Sequence, residues 1–182
     1  TKEKNLMAKQ KEQQKKVDQL NKKIEELISK QVRITTTLTK EQQLIAGGFE
    51  ANQGRMPWPV EKGFISGYFG KHQHPIHEHV TIENKGIYLQ TVSGADARAI
   101  YEGEVTWCAQ MNGSYAVIVQ HGNYRSVYSQ LAKIYVKQGD KLQAKQAIGQ
   151  IQTDTSEDNK TELYFQIYKD RSILNPSLWL AQ

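Results

Sequence analysis

Residues 112–131 read NGSYAVIVQHGNYRSVYSQL and contain the two clearest strand signals of the chain. Residues 115–121 and 124–131 are rich in β-branched and aromatic side chains, which favour strands, and the Gly122-Asn123 pair between them is typical of a turn. Asn112-Gly113 at the start of the stretch is a strong hairpin signal, because both residue types tolerate left-handed backbone. The stretch therefore predicts consecutive antiparallel strands joined by tight turns.

Similar short runs continue on both sides of this stretch. Further strands are predicted at residues 64–69, 86–91, 97–101, 104–111, 146–150 and 162–168. Gly139-Asp140 predicts another turn, and the polar residues 153–160 predict a surface loop. Because no 3.6-residue apolar stripe longer than two turns is present beyond Pro57, we expect residues 57–182 to form a mainly β domain, a sandwich or a barrel with short connections.

Residues 1–46 differ in composition: they include no Gly, Pro or aromatic residue and have many Lys, Gln and Glu side chains. This composition predicts a long helix that ends near Gly47-Gly48. Alternating steps of three and four residues place one coiled-coil seam on it, formed by Val17, Leu20, Ile24, Leu27, Gln31, Ile34 and Leu38. We therefore expect a coiled-coil arm at 1–46, a linker at 47–56 and the β domain at 57–182. The seam leaves two interpretations open: pairing with another chain or copy, or folding back on its own domain.

The formal net charge of +5 comes entirely from the arm. Residues 1–46 carry 11 basic and 6 acidic side chains, which leaves 24−11=13 basic and 19−6=13 acidic ones beyond them. Any electrostatic partner, including anionic lipid headgroups or an acidic coiled coil, is therefore to be sought along residues 1–46. No nucleic-acid-binding motif is present, no apolar run is long enough to cross a membrane, and the single Cys108 excludes an internal disulfide and a multi-cysteine zinc site.

The order of short motifs in the β region resembles the LytM or lysostaphin-type zinc metallopeptidase domain, which acts on cell-wall peptide. No single motif is specific, but together they follow the family order over nearly the whole β region. The matching segments are residues 63–70 (GFISGYFG) with His74-Pro75, 85–87 (KGI), 97–105 (ARAIYEGEV), 117–124 (VIVQHGNY), 127–131 (VYSQL), 136–142 (VKQGDKL), 147–149 (AIG) and 163–167 (LYFQI). The resemblance implies a LytM-like β fold.

Active members of that family carry a His-x-Gly-x-Asp pattern with two zinc ligands, a Tyr-x-His-Leu pattern with a catalytic His, and a His-Leu-His pattern with a catalytic His and the third ligand. The positions that match these patterns here read Asn84-Lys85-Gly86-Ile87-Tyr88, Tyr128-Ser129-Gln130-Leu131 and Glu162-Leu163-Tyr164. All five metal or catalytic positions are therefore replaced.

The replacing side chains are poorly suited to hydrolytic zinc chemistry. Such a site needs about three strong ligands and an open position for an acidified water. An asparagine amide is a weak ligand, a glutamine is no general base, and a tyrosine with a pKa near 10 seldom ionises to bind zinc. We expect neither catalysis nor a metal cofactor, and a residual zinc peptidase is the third alternative. His72, His74, His77 and His79 are interpreted as ordinary loop histidines rather than a second metal site.

A coiled coil followed by a LytM-like domain without its ligands resembles the EnvC and NlpD class of murein hydrolase activators. The resemblance implies a non-enzymatic, periplasmic protein of the bacterial envelope that activates a peptidoglycan amidase during cell division, with the coiled coil coupled to an FtsEX-type transporter complex. We expect the partner-binding groove to be lined by Asn84, Tyr88, Arg98, Gln130, Glu162 and Tyr164. The alternative is a non-catalytic peptidoglycan-binding module that uses the same groove.

Overall fold

The computed structural model describes residues 2–34, 37–73, 79 and 81–182, with the backbone alone at residues 3 and 6. The chain divides into two compact units, Thr1–Thr36 and Thr37–Gln182. The first unit consists of helix α1, Lys2–Ile34, whose 33 residues span about 50 Å at about 1.5 Å per residue. None of the helices in the described part of the chain is long and apolar enough to cross a membrane.

The predicted single helix running to Gly47-Gly48 is wrong. Helix α1 ends at Ile34, and the two glycines lie inside a second helix, α2, Lys40–Ala51. Helix α2 starts at Thr39 with a capping box, in which the Thr39 hydroxyl accepts from the Gln42 N–H at 3.1 Å and the Gln42 side chain accepts from the Thr39 N–H at 3.0 Å. This reciprocal pair satisfies two backbone donors and so favours a new helix start at this point. Pairing of the coiled-coil seam stays a prediction.

The second unit continues from α2 into thirteen strands within the described residues. They are β1 Phe64–Gly67, β2 Gly70–Gln73, β3 Thr81–Asn84, β4 Ile87–Thr91, β5 Asp96–Arg98, β6 Gly103–Met111, β7 Ser114–His121, β8 Tyr124–Ile134, β9 Lys141–Leu142, β10 Ala147–Ile151, β11 Thr153–Asp154, β12 Lys160–Lys169 and β13 Ser172–Leu174, followed by a 3₁₀ turn at Pro176–Leu178. Each of the eight strands expected from the sequence is present. The short strands β2, β3, β9, β11 and β13 were not foreseen, and β11 replaces the start of the predicted 153–160 loop.

The mainly β prediction is confirmed in the form of one branched antiparallel sheet. Its main path runs β1-β4-β12-β8-β7-β6-β9, with β10 pairing β5 and β8, and with β11 and β13 pairing β12. Strands β2 and β3 form a separate two-stranded hairpin. The predicted Asn112-Gly113 turn joins β6 to β7, with both residues at positive φ.

Strict alternation along the central strands separates a core face from a second face. Ile87 and Leu89 of β4 are fully buried in the hydrophobic core, as are Leu163, Phe165 and Ile167 of β12. The intervening residues of both strands must point to the opposite face, because successive side chains of a strand alternate. The core therefore fixes which residues of β4 and β12 are available for the second face.

Helix α2 is part of the β unit through Phe49, which is 0% exposed. The Phe49 ring stacks on His121 at a centroid distance of 4.8 Å and on Tyr124 at 4.7 Å, and it also contacts Tyr101 and Trp179. Residues 47–56, predicted as a linker, thus contribute a core anchor. The observed division of the chain at residue 36 differs from the predicted arm boundary at residue 46 because this aromatic contact ties α2 to the sheet.

A buried polar network lies directly beneath this contact. His121 is 0% exposed; its Nδ1 lies 2.7 Å from the Glu102 carbonyl oxygen, and its Nε2 lies 2.7 Å from the Ser126 hydroxyl. The Ser126 hydroxyl also lies 3.0 Å from the Tyr128 hydroxyl, whose oxygen accepts from the Ile100 N–H. Burial lowers the pKa of His121 to about 4 and raises that of Tyr128 to about 12, so both side chains are neutral at pH 7.

Truncation of the α2 anchor should destabilise the β unit. We expect Phe49→Ala to lower the free energy of unfolding by about 3–5 kcal/mol, since it removes a fully buried ring. Leu44→Ala on the same helix is the matched control, because Leu44 is 78% exposed and its loss should change stability by less than about 0.5 kcal/mol. Urea unfolding measures both variants, and equal losses would contradict the anchoring role of Phe49.

Stability should also fall in mild acid. The pKa of His121 is depressed in the folded state, so its contribution is fully present above the unfolded value near 6.5 and is lost as pH falls toward 4. Between pH 7 and pH 5 this single group should cost about 2 kcal/mol of unfolding free energy. Urea titrations at several pH values, compared with His121→Gln, measure it; the same pH slope in both proteins would refute the assignment.

Candidate functional site

The second face of β4 and β12 carries three of the six residues that the sequence placed in a groove, Tyr88, Glu162 and Tyr164. In the antiparallel register, Tyr88 of β4 lies opposite Tyr164 of β12, and Gln90 lies opposite Glu162. Strand β8 flanks β12 on the other side, where Ser129 lies opposite Tyr164 and Gln130 follows. We refer to Asn84, Tyr88, Gln130, Glu162 and Tyr164 as the tyrosine site.

Two stacked rings form the centre of the tyrosine site. The Tyr88 and Tyr164 centroids are 4.8 Å apart with an interplanar angle of 27°, within the range of favourable offset stacking. A Cβ atom added to Gly67 of β1 would lie 2.7 Å from the Tyr88 ring, so Gly67 packs closely against that ring. Tyr164 is 0% exposed, whereas Tyr88 is partly exposed. The prediction that Tyr164 lines an open groove is therefore corrected: its side chain is buried, because it packs against Tyr88.

The single carboxylate of the tyrosine site is held by two neighbours. Glu162 Oε2 accepts from the Ser66 hydroxyl at 2.6 Å and lies 3.6 Å from Lys160 Nζ. The Glu162 side chain is 16% exposed, compared with 39% for Lys160. The Ser66 hydrogen bond fixes the position of the carboxylate at the protein surface, and the nearby Lys160 ammonium balances its negative charge.

Gln130 has an unusual backbone for a residue inside a strand. Its φ is +66°, in the left-handed region that non-glycine residues seldom occupy. Its carbonyl accepts from the Gln152 N–H at 2.8 Å. The side chain is partly exposed and makes no hydrogen bond to another described residue. The adjacent Ser129 hydroxyl is buried and likewise has no hydrogen-bond partner among the described residues.

The remaining two predicted groove residues have different surroundings. Asn84, at the end of β3, donates from Nδ2 to the Tyr68 carbonyl at 2.9 Å, which ties it to the segment that follows Gly67. Arg98 of β5 instead donates from Nε to the Trp58 carbonyl at 2.9 Å. The proposed place of Arg98 in the groove is not supported by these contacts, because the guanidinium is fixed on the segment that precedes β1.

Sequence reasoning missed Ser66, Tyr68 and Ser129. Tyr68 is 62% exposed beside the site, and the other two hydroxyls lie on strands adjacent to β4 and β12. Period-two alternation could have placed Ser66 on the face opposite Ile65. The contacts across strands, however, depend on pairing register, which the sequence did not specify.

The donor set does not fit the zinc ion that active LytM-type enzymes hold. Within the described residues, no group of three His, Cys, Asp or Glu side chains could hold a metal ion. Phenol rings packed on each other occupy two of the matching positions, and Glu162 already accepts from Ser66. His72 lies in β2 and His79 in a turn, while His74 and His77 fall outside the described residues, as does the His74-Pro75 motif.

Comparisons with known proteins agree with this fold. The sequence profile described as Peptidase family M23 matches residues 82–176, just over half of the chain. The uncharacterized protein NMB1333 of Neisseria meningitidis serogroup B is 33% identical over 137 residues, which cover 74% of this chain and 22% of that protein. The chain thus spans about a fifth of the length of this curated relative.

Solved structures of similar fold include a peptidase and a chain of a protein complex. Helicobacter pylori Csd3 matches with a TM-score of 0.58 at 21% identity, over 70% of this chain and 35% of that one. A zinc-containing peptidase from Vibrio cholerae matches at 0.56 and 21%, over 69% and 40%. A chain of the SpoIIIAH and SpoIIQ complex matches at 0.56 and 27%, over 67% of this chain and 97% of that one.

The two stacked tyrosines should differ in their contribution to stability. Tyr164→Ala removes a fully buried ring and should lower the free energy of unfolding by about 3 kcal/mol or more. Tyr88→Ala removes a partly exposed ring and should cost about 1 kcal/mol. Urea unfolding distinguishes the two, and a larger loss for Tyr88→Ala would contradict the described burial.

Proposed function

Because the chain belongs to peptidase family M23, we propose that it is a non-catalytic member that binds and activates a peptidoglycan amidase of the bacterial envelope during cell division. The observation that carries this proposal is the stack of Tyr88 on Tyr164 at 4.8 Å. In the LytM resemblance these two positions hold zinc ligands. Here the partly exposed Tyr88, packed on the buried Tyr164, presents aromatic surface in place of a metal-binding cavity.

The chemistry of the tyrosine site suits protein recognition. Tyrosine supplies a large contact area at low conformational cost and retains a hydrogen-bonding hydroxyl, which is why it is enriched at interface hot spots. The partly exposed Tyr88 is fixed between Gly67 and Tyr164, so little ordering is required when a partner binds. A chain of the SpoIIIAH and SpoIIQ complex, 27% identical to this one, is an example of this fold within a protein assembly.

Activation by such a site requires no proton transfer. We propose that the partner amidase has a segment that blocks its own catalytic centre, and that the tyrosine site binds this segment in its released position. Preferential binding of one conformation shifts the amidase population toward the open state. Residues 1–46 carry the excess positive charge and would contact an FtsEX-type transporter complex. This arrangement requires a periplasmic location.

A second candidate is a non-catalytic peptidoglycan-binding module. It is favoured by two exposed aromatic rings. Phe64 of β1 is 57% exposed, and Tyr68, just after β1, is 62% exposed. These rings, next to the amide and carboxylate groups of the site, are suited to stacking against sugar faces. Co-sedimentation with purified cell wall, compared with an amidase pull-down, distinguishes the two candidates.

The proposal predicts that the full-length chain stimulates a purified amidase from the same bacterium and that Tyr88→Ala reduces this stimulation about tenfold. Tyr135→Ala is the matched control: Tyr135 is 49% exposed and bonds Asp96, away from the tyrosine site. Dye-release from labelled cell wall measures stimulation. Equal loss in both variants, or undiminished stimulation by a folded Tyr88→Ala protein, would reject the site.

Metal analysis supplies an independent test of the non-catalytic assignment. The purified chain should contain no stoichiometric zinc and should release no peptide from cell wall in the presence of added zinc. Stoichiometric zinc together with peptide cleavage would instead establish an active peptidase.

A further inference from the structure

Gln130 marks the point where β8 changes partner. Strand β8 pairs with β12 as far as Ser129 and with β10 from Leu131 onward. Opposite β7, two β8 residues, Ser129 and Gln130, occupy the interval between the pairs Val117–Tyr128 and Tyr115–Leu131. This is a β-bulge, and Gln130 at positive φ stands where a bulge of the G1 type has a left-handed glycine.

The bulge explains the backbone conformation but not the choice of glutamine. Within the described residues, the other non-glycine residues at positive φ all lie in turns: Asn112, Lys145, Asp158, Asn159 and Asp170. Four of these five are Asn or Asp, the types that tolerate this region through local hydrogen bonding. Glycine would fit the Gln130 backbone with less strain. The backbone conformation therefore does not account for a long amide side chain at this position.

Two polar groups at this point lack hydrogen-bond partners among the described residues. The Gln130 amide is partly exposed, and the neighbouring Ser129 hydroxyl is buried, with the residue 1% exposed. A buried hydroxyl without a hydrogen bond is unfavourable and calls for an explanation. Both residues lie beside Tyr164, since Ser129 is its cross-strand partner. The strained backbone and the unpaired groups thus coincide at the tyrosine site.

We propose that Gln130 is a recognition residue that pairs with a backbone peptide group of an extended ligand segment. A carboxamide presents one acceptor and two donors, which match the N–H and C=O of a peptide group. Inside a helix those groups already bond to each other, so an extended segment is the form that can use Gln130. The inference rests on the proposed function and specifies the partner's contact as extended peptide, whether it comes from an amidase or from the stem peptide of the cell wall.

The test separates backbone strain from recognition. Gln130→Gly should raise the Tm by about 2–4 °C because it relieves the left-handed strain, and it should weaken amidase binding about fivefold or more in calorimetric titration of the full chain. Lys145→Gly is the matched control, because Lys145 also has positive φ but lies in an exposed turn. It should leave binding unchanged within a factor of two.

The outcomes distinguish this inference from the proposed function. If the wild type and Gln130→Gly bind amidase equally, recognition by Gln130 is refuted while activation stands. If the wild type binds no amidase, the proposed function fails, and ¹⁵N-labelled full chain is titrated with soluble muropeptides. A shift of the Gln130 side-chain NH₂ signal, with binding lost in Gln130→Gly, would support the inference. No shift would overturn it.

Discussion

The antiparallel register between β4 and β12 is the constraint on which the second unit depends. With Tyr88 opposite Tyr164, Leu89 pairs with Leu163 in the core, and Ile87 pairs with Phe165. A slip by one residue would exchange the two faces of a strand and bury its polar side chains. The hydrophobic core therefore determines the geometry of the tyrosine site, although none of its residues belongs to that site.

The second unit also depends on a contact that joins helix α2, at its N-terminal side, to the sheet. Phe49 reaches from α2 onto His121 and Tyr124, beneath which the His121, Ser126 and Tyr128 network is buried. Aromatic packing and a neutral imidazole are thus linked, since burial removes the water that a charged imidazole would need. Helix α2 is in consequence part of the folded β unit and not a tether to it.

The sequence predicted the parts of the fold that depend on local pattern. Turn pairs such as Asn112-Gly113 and the alternation in β8 and β12 located the principal strands, because both signals act over a few residues. The sequence did not predict the end of α1 at Ile34, because helix propensity contains no stop signal before Gly47. The capping box at Thr39, which marks the start of α2, was not recognised. The short strands β2, β9 and β11 have only two to four residues each, too few to show a pattern of their own.

The sequence predicted most of the residues of the candidate site but not their arrangement. Family spacing identified Tyr88, Glu162 and Tyr164, and the structure places them on one face of adjacent strands. Their burial and partners could not be foreseen: Ser66 approaches Glu162 across strands, and Arg98 bonds to Trp58 instead of joining the site. These contacts arise from the pairing of strands far apart in sequence, which no single-sequence pattern encodes.

The tyrosine stack also bears on the evolutionary path between this chain and a zinc enzyme. Replacing Tyr88 alone by Asp would leave a carboxylate beside the ring of Tyr164 and a void against Gly67, with no metal to compensate the charge. Replacing Tyr164 alone would open a cavity in a buried position. Both of these single steps toward a zinc-ligand set lower stability before any zinc affinity can offset the loss. The stacked arrangement is therefore separated from a three-ligand zinc site by unstable intermediates, which would preserve the stack once it had formed.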